Sequence, residues 1–241
     1  FNKIKDKINE KTKAIMPVDM GGWPADYNFL NDLVKSKEIR EKFKPNSKNQ
    51  KKLNRILIIA DAAHSIGATY NNYPSGSLTD ISIFSFHSVK NITTGEGGAI
   101  CLKLPKVFNP DDEFMYLKAL SLNGQNKSAF DKNKVGGWRY DIIDQGLKIN
   151  MTDVNAAIGL AQIRKYKNSL LPERKEIVNF YNMYFKKFNW AILPPSKNNQ
   201  AESSYHLYLL RIDKISENER DEMIHFIRSK NVGVNVHYIP M

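Results

Sequence analysis

Asp61 and Lys90 are the residues whose setting in this sequence suggests chemistry. Asp61 directly follows the apolar run Ile56–Ala60, and Lys90 comes shortly after a second run, Ile81–Phe86. A third run, Ala99–Leu102, closes the stretch. Short apolar runs rich in β-branched and aromatic residues read as buried strands, and ligand-binding sheets present functional groups where strands end. A lone lysine after a strand ordinarily reads as a surface residue. Here Ser85, His87 and Ser88 precede it and a Thr93–Gly98 run of hydroxyls and glycines follows. Such surroundings can partly desolvate an amine, favouring the neutral form that attacks a carbonyl to give a Schiff base. A carboxylate emerging from a buried strand is costly unless it meets a cation, and a protonated pyridine nitrogen is a fitting partner. A carbonyl-binding lysine and a pyridinium-binding aspartate together describe a pyridoxal-phosphate site.

The elements that would hold these two residues follow from pattern. Ala14–Val18 predicts a strand running into Asp19 and a Gly21–Gly22 turn, after an amphipathic helix end over residues 3–11. Phe29, Leu30, Leu33 and Val34 predict a helix over Asp26–Ile39. Strand, helix, strand in that order predicts an α/β fold with a mostly parallel sheet covered on both faces. Phe114–Leu120 reads as helix, and Asn123–Gly137 as a polar loop. Thr152 caps a helix whose Val154, Ala157, Ile158, Ala161 and Ile163 form a small-residue apolar face for close packing. Pro172 then breaks the helix, and Glu173–Phe188 forms another with Ile177, Phe180, Tyr181, Tyr184 and Phe185 turned inward. Tyr205–Ile212 as strand, Glu219–Ser229 as helix and Val232–Ile239 as strand make a small α+β domain. The expected division is 1–171 for the large domain and 172–241 for the small one.

Composition narrows the function. The 241 residues, 41% hydrophobic and 11% aromatic, suit a globular protein with a real core. No run approaches the roughly 18–20 apolar residues of a membrane span, and no signal-peptide layout opens the chain. The single cysteine, Cys101, reads as a small buried hydrophobe and is consistent with a reducing cytoplasm. The net charge of +11 is spread along the chain, densest over Lys35–Arg55. That run is rich in Asn and Ser and contains Pro45, so it reads as a solvated loop, and its one aromatic, Phe43, offers no stacking platform for nucleic acid. A basic surface can still draw in an anionic small substrate.

Five segments, taken in order, carry a family resemblance: D-A-A-H-S-x-G-A at Asp61–Ala68, S-F-H-S-V-K at Ser85–Lys90, T-T-G-E-G-G at Thr93–Gly98, K-I-N-M-T-D-V-N-A-A-I-G-L-A-Q at Lys148–Gln162 and V-H-Y-I-P at Val236–Pro240. Each is weak alone. Together they resemble the DegT/DnrJ/EryC1/StrS group, the fold-type-I pyridoxal-phosphate aminotransferases that act on nucleotide sugars. The resemblance implies Lys90 as the cofactor-binding, proton-moving lysine and Asp61 as the partner of the pyridinium. It implies His64 near the ring, Ser85 as a donor to the cofactor phosphate, and Asn150 as a phosphate ligand supplied by the second subunit of a homodimer. Glu96, His237 and Tyr238 would line the substrate side. His64 also reads plainly as a satisfied histidine in a turn, and His206 as structural. A lysine at position 90 favours transamination over the sugar dehydration of relatives with histidine there, and glutamate is the implied amino donor. The sequence departs from the pattern at Ile149, where many relatives have an aromatic residue.

The chain opens without methionine and ends directly after an apparent strand, so the expectation is a fragment of a longer protein lacking both ends. The resemblance implies that a phosphate-binding turn and a ring-stacking aromatic precede Phe1. Two functions follow: a cytoplasmic aminotransferase that turns a keto group of a nucleotide sugar into an amine for polysaccharide or deoxyaminosugar synthesis, or a truncated, catalytically silent homologue acting as a binding subunit or surviving as a gene remnant.

Overall fold

Alternation along the central strands decides which side chains meet the core. A computed structural model describes residues 2–127, 132, 133, 135 and 138–237. Four strands, β1 (Ala14–Ile15), β2 (Leu57–Asp61), β5 (Ile81–Ser85) and β6 (Gly98–Leu102), form one sheet in the order β1-β2-β5-β6. β1 pairs with β2 in parallel, and β2 with β5 in parallel with Asp61 opposite Ile83. β6 runs antiparallel to β5 with Gly98 opposite Ser85. The mostly parallel sheet is as expected; β6 runs back along β5 because the Phe86–Gly97 segment between them holds no helix to cross over the sheet.

Side-chain period two puts Ile58, Ala60, Ser82 and Phe84 on one face, and all four are buried. Ile58 and Ala60 join Tyr27, Leu30, Leu33, Val34, Ile39 and Phe43 in the main core. The helix Tyr27–Lys35 supplies most of these and starts on Asp26, whose side chain accepts from the Phe29 N–H at 3.0 Å. Ser36 is extended (φ −61°, ψ 143°), so the single helix expected to Ile39 is two, the second Lys37–Lys42. The lysine-rich stretch is accordingly not the solvated loop expected. It holds this helix and a further one, Lys48–Leu53, because Ile39 and Phe43 anchor it in the core while its lysines face water. Arg55 and Asp80 lock the base of β2 through two bonds of 2.7 and 2.6 Å, and Asp80 also accepts from the Ile58 N–H at 3.0 Å.

Two smaller sheets complete the strands: β3 (Thr69–Tyr70), β4 (Tyr73–Pro74) and β8 (Ala201–Glu202) in the order β4-β3-β8, and β7 (Ala191–Ile192) with β9 (Arg211–Ile212). The contact pattern gives two compact units, Phe1–Val178 with Pro195–Leu207, and Asn179–Pro194 with Tyr208–Met241. Leu171, where the sequence places its boundary, opens a helix that runs to Phe185 after a wide π-type turn at Tyr166–Leu170. The second unit holds β7, β9 and the helix Glu217–Ser229, which begins with a capping box between Ser216 and Glu219.

Several expectations need correction. Tyr205–Ile212 is not a strand except at Arg211–Ile212, because Tyr205 takes a left-handed backbone (φ 55°) that breaks extension. Residues 232–237 form no strand, and 238 and 239 lie outside the described residues. The apolar face of the Asp153–Lys165 helix is not packed: Gly159 is its one buried residue and Val154 is 71% exposed. Ile177, Phe180, Tyr181 and Tyr184 are likewise exposed. Within the second unit Tyr181 and Phe185 meet the ring of Tyr208 at 5.0 and 6.0 Å between centroids, and Phe185 also meets Tyr184 at 5.5 Å and Trp190 at 6.2 Å, so the rings form a partly exposed aromatic cluster.

Candidate active site

Strand order brings three polar residues to one end of the sheet. Parallel pairing places Asp19, Asp61 and Ser85 beyond or at the carboxyl ends of β1, β2 and β5, with Val18 bridging Asp61. The register also puts Asp61, Ile83 and Ser85 on the same face, opposite the main core. From Ser85 the chain turns into a closed loop. Phe86 donates its N–H to the Gly97 carbonyl at 2.8 Å, and the Phe86 carbonyl accepts from the Thr94 N–H at 2.9 Å and the Thr93 hydroxyl at 3.1 Å. Lys90 sits in that loop, in a turn made by its own N–H donating to the His87 carbonyl at 3.0 Å.

The donor set fits a pyridoxal phosphate. Asp61 is half-buried, its carboxylate accepts one hydrogen bond, from the Ala63 N–H at 3.1 Å, and among the described residues no cation pairs with it. The half-buried Lys90 ammonium has no hydrogen-bond or ion-pair partner among the described residues. Ser85 Oγ accepts from the His87 N–H at 3.3 Å, leaving its own hydrogen for another acceptor. An uncompensated carboxylate, an uncompensated amine and a hydroxyl donor at one sheet end match a pyridinium, an aldehyde and a phosphate.

His64 is buried, and its Nδ1 accepts from the Gly21 N–H at 3.3 Å, which leaves Nε2 carrying the proton. Its ring lies 4.4 Å from that of His206, tilted by 39°. Glu96 is exposed, with a carboxylate oxygen 3.6 Å from His87 Nε2. Asn150 is exposed and lines an open groove of about 700 Å³ together with Ile83, Ile100, Phe114 and Ile149. His237 is an exposed residue of the second unit, and Tyr238 lies outside the described residues.

Sequence reasoning passed over Asp19. Its carboxylate is fully buried and accepts from the Tyr27 hydroxyl at 2.5 Å, Ser65 Oγ at 2.6 Å and the Ala25 N–H at 2.9 Å. Burial pushes its pKa above the ordinary carboxylate value, the hydrogen bonds oppose this, and the neighbouring Asp61 charge adds to the rise. The signal was available, since Asp19 follows the apolar run Ala14–Val18 as Asp61 follows Ile56–Ala60. Asn91, Tyr166 and Ser204 also converge here, and nothing local in the sequence marks them.

Comparison with known proteins places the chain in a family. In sequence, the chain is 30% identical over 244 residues to the spore coat polysaccharide biosynthesis protein SpsC of Bacillus subtilis, covering 99% of this chain and 56% of that protein. It is 32% identical over 227 residues to the UDP-4-amino-4,6-dideoxy-N-acetyl-beta-L-altrosamine transaminase of Campylobacter jejuni, covering 94% and 52%. In structure, a Streptococcus pneumoniae protein assigned as a sugar aminotransferase, in its PMP form, superimposes with a TM-score of 0.92 at 40% identity, covering 99% of this chain and 59% of that one. The chain thus spans a little over half the length of these relatives. The model of the DegT/DnrJ/EryC1/StrS aminotransferase family matches residues 1–40 and 48–241, and the chain belongs to that family.

Proposed function

We propose that this chain carries the lysine and ring-nitrogen side of a pyridoxal-phosphate aminotransferase that converts a keto group of a nucleotide-linked sugar to an amine. The observation that supports the reading is that Asp61 ends β2 while Lys90 lies in the loop leaving the adjacent β5, both without a charge partner among the described residues. When bound, the cofactor would supply an aldehyde for the lysine and an electron sink for the carbon losing its proton. Lys90 would hold the cofactor and later carry a proton at Nζ. Asp61 would keep the pyridine nitrogen protonated through a charge-assisted hydrogen bond. Ser85 would donate to the phosphate, and His64, with its proton on Nε2, would present a donor beside the ring. Asn150 of a second copy would reach the same phosphate, and Glu96, His237 and Tyr238 would meet substrate. Glutamate as amino donor, a homodimer with shared sites and a cytoplasmic setting complete the proposal, with polysaccharide or deoxyaminosugar synthesis as its use.

Incubation with pyridoxal phosphate, borohydride reduction and peptide mass mapping test the reading. The expected result is one reduced adduct, on Lys90, and none in Lys90→Ala. An adduct of equal yield in Lys90→Ala would defeat it. A Lys90 adduct without amino transfer from glutamate to any keto nucleotide sugar would favour the catalytically silent homologue.

A further inference from the structure

The side chain of the residue after Lys90 makes three hydrogen bonds. Asn91 is buried, and its Nδ2 donates to the Ser204 carbonyl at 2.8 Å and to the Tyr166 hydroxyl at 3.1 Å. The Tyr166 O–H is itself committed, donating to the Ile66 carbonyl at 2.6 Å, so Tyr166 can only accept from Asn91. The amide orientation is therefore fixed, and Asn91 Oδ1 faces His206 Nδ1 at 2.8 Å. Since Oδ1 can only accept, His206 Nδ1 carries the proton and donates. The His206 ring in turn packs on His64, whose opposite tautomer is set by Gly21.

The backbone around His206 is built to hold this arrangement. Ser204 donates its N–H to the Gly22 carbonyl at 3.0 Å and its hydroxyl to the His64 carbonyl. Gly22 has φ +97°, and a Cβ there would lie 2.2 Å from Ser204 Oγ. Tyr205, between Ser204 and His206, holds a left-handed backbone, and a bulky residue in that region persists only where its surroundings over-determine it. Its N–H is taken by Ser203 Oγ at 3.0 Å and its hydroxyl by Glu202 at 2.8 Å. Strain retained beside a site of polar, fully used hydrogen bonds marks a segment held for positioning.

We propose that Asn91 and His206 are positioning residues, whose hydrogen bond couples the peptide bearing Lys90 to the histidine stack that orients His64. The inference rests on the function proposed above for Lys90. It makes the segment Ser203–Leu207 the part of the first unit that fixes the lysine and the ring-side histidine as one rigid group. Misplacement of a reacting group by about 1 Å can cost on the order of 100-fold in rate, so the effect should fall on kcat with KM little changed.

Two substitutions at His206 separate hydrogen bond from packing. His206→Phe keeps a ring against His64 and loses the donor, whereas His206→Asn keeps a donor at the Nδ1 position and loses the ring. The first readout is competitive acylation of lysines in the protein without cofactor, with Lys90 measured against the exposed Lys37. Asn91→Ala and His206→Phe should raise relative Lys90 labelling severalfold and lower kcat by about tenfold or more, while His206→Asn should keep the labelling near wild type. Wild-type labelling and kcat in both Asn91→Ala and His206→Phe would overturn the proposal. So would the reverse pattern, His206→Asn impaired and His206→Phe normal, which is what packing alone produces. Should these variants not fold, nitrogen-15 NMR of the unmodified protein decides: the proposal requires His206 as the Nδ1–H tautomer and His64 as Nε2–H, and His206 as Nε2–H overturns it. Adduct mapping on Lys90→Ala keeps the two failures apart, because an adduct surviving there removes the proposed function, whereas unchanged variants with Lys90 as the attachment site remove only the coupling.

Discussion

The two faces of the four-stranded sheet differ in what this chain does for them. One face, through Ile58, Ala60, Ser82 and Phe84, is sealed, with Ile58 and Ala60 set in the main core beside the helix Tyr27–Lys35. The other leaves Ile83 at 42% and Ile100 at 53% exposure, beside Phe114 at 58% and Ile149 at 67%. Both faces are apolar, so apolar content does not separate them. Covering does, and the polar groups of the site, Asp61 and Ser85, stand on the less covered face. A functional crevice needs a face that the local chain does not fill, and here the sealed face supplies the rigidity from which the open one projects its groups.

The sharpest test of that contrast is the polar lock under the sealed face. Arg55 is 12% and Asp80 6% exposed, joined by two hydrogen bonds, with the Ile58 N–H on the same carboxylate. Arg55→Met leaves that carboxylate buried without its cation, and removing one partner of such a pair costs about 3–5 kcal/mol. Denaturant unfolding should show a lowered midpoint of that size. A loss under 1 kcal/mol would mean that solvent reaches Asp80 and that the face is less sealed than its burial implies. Next in size is Ile58→Ala. Ile58 is fully buried within the main core, and truncation should cost about 3 kcal/mol, the lost transfer energy together with a cavity.

How far the sequence reveals these faces depends on range. β2, β5 and β6 are legible because each is a short apolar run bounded by polar residues, and Asp61 and Lys90 are legible because they stand just past those runs. The apolar periodicity of Asp153–Lys165 shows which side wants burial but not whether this chain provides the cover, so the expected packing there does not occur. His206 and Asn91, 115 positions apart, meet through long-range contacts, with Gly21 and Gly22 holding the backbone of Leu207 and Ser204 and Asn91 itself bonding the Ser204 carbonyl. Alternation over Tyr205–Leu210 reads as strand, and no local pattern announces the left-handed Tyr205 that prevents it.

A smaller effect is expected where β8 joins β3, because its ionic contacts are part-exposed. Burial works to raise the pKa of Glu202, but hydrogen bonds from Lys175, Lys197 and Tyr205 outweigh it and hold the carboxyl down at about 2. A carboxylate with a depressed folded pKa contributes stability that is present above its unfolded value and is lost as pH falls through the folded one. Glu202 should therefore steepen acid unfolding between about pH 4.5 and 2, and Glu202→Gln should flatten that limb while changing the slope above pH 6 little. An unchanged acid limb in the variant would show that the lysines do not hold Glu202 in solution.

The smallest effect belongs to the open face and completes the contrast. Ile100 lies in the same sheet as Ile58 and differs from it in being half-exposed. Because its side chain already meets water, Ile100→Ser removes little buried area, and exposed substitutions of this kind stay within about 0.5 kcal/mol. Serine also lowers strand preference slightly, which sets the sign as mildly destabilising. Measured on this chain, Ile58→Ala and Ile100→Ser should differ by more than 2 kcal/mol, on the order of the cavity term that only a sealed face can show. Equal costs at the two positions would mean that the second face is covered in solution, and that exposure in the single chain does not distinguish the side of the sheet on which Asp61 and Ser85 work.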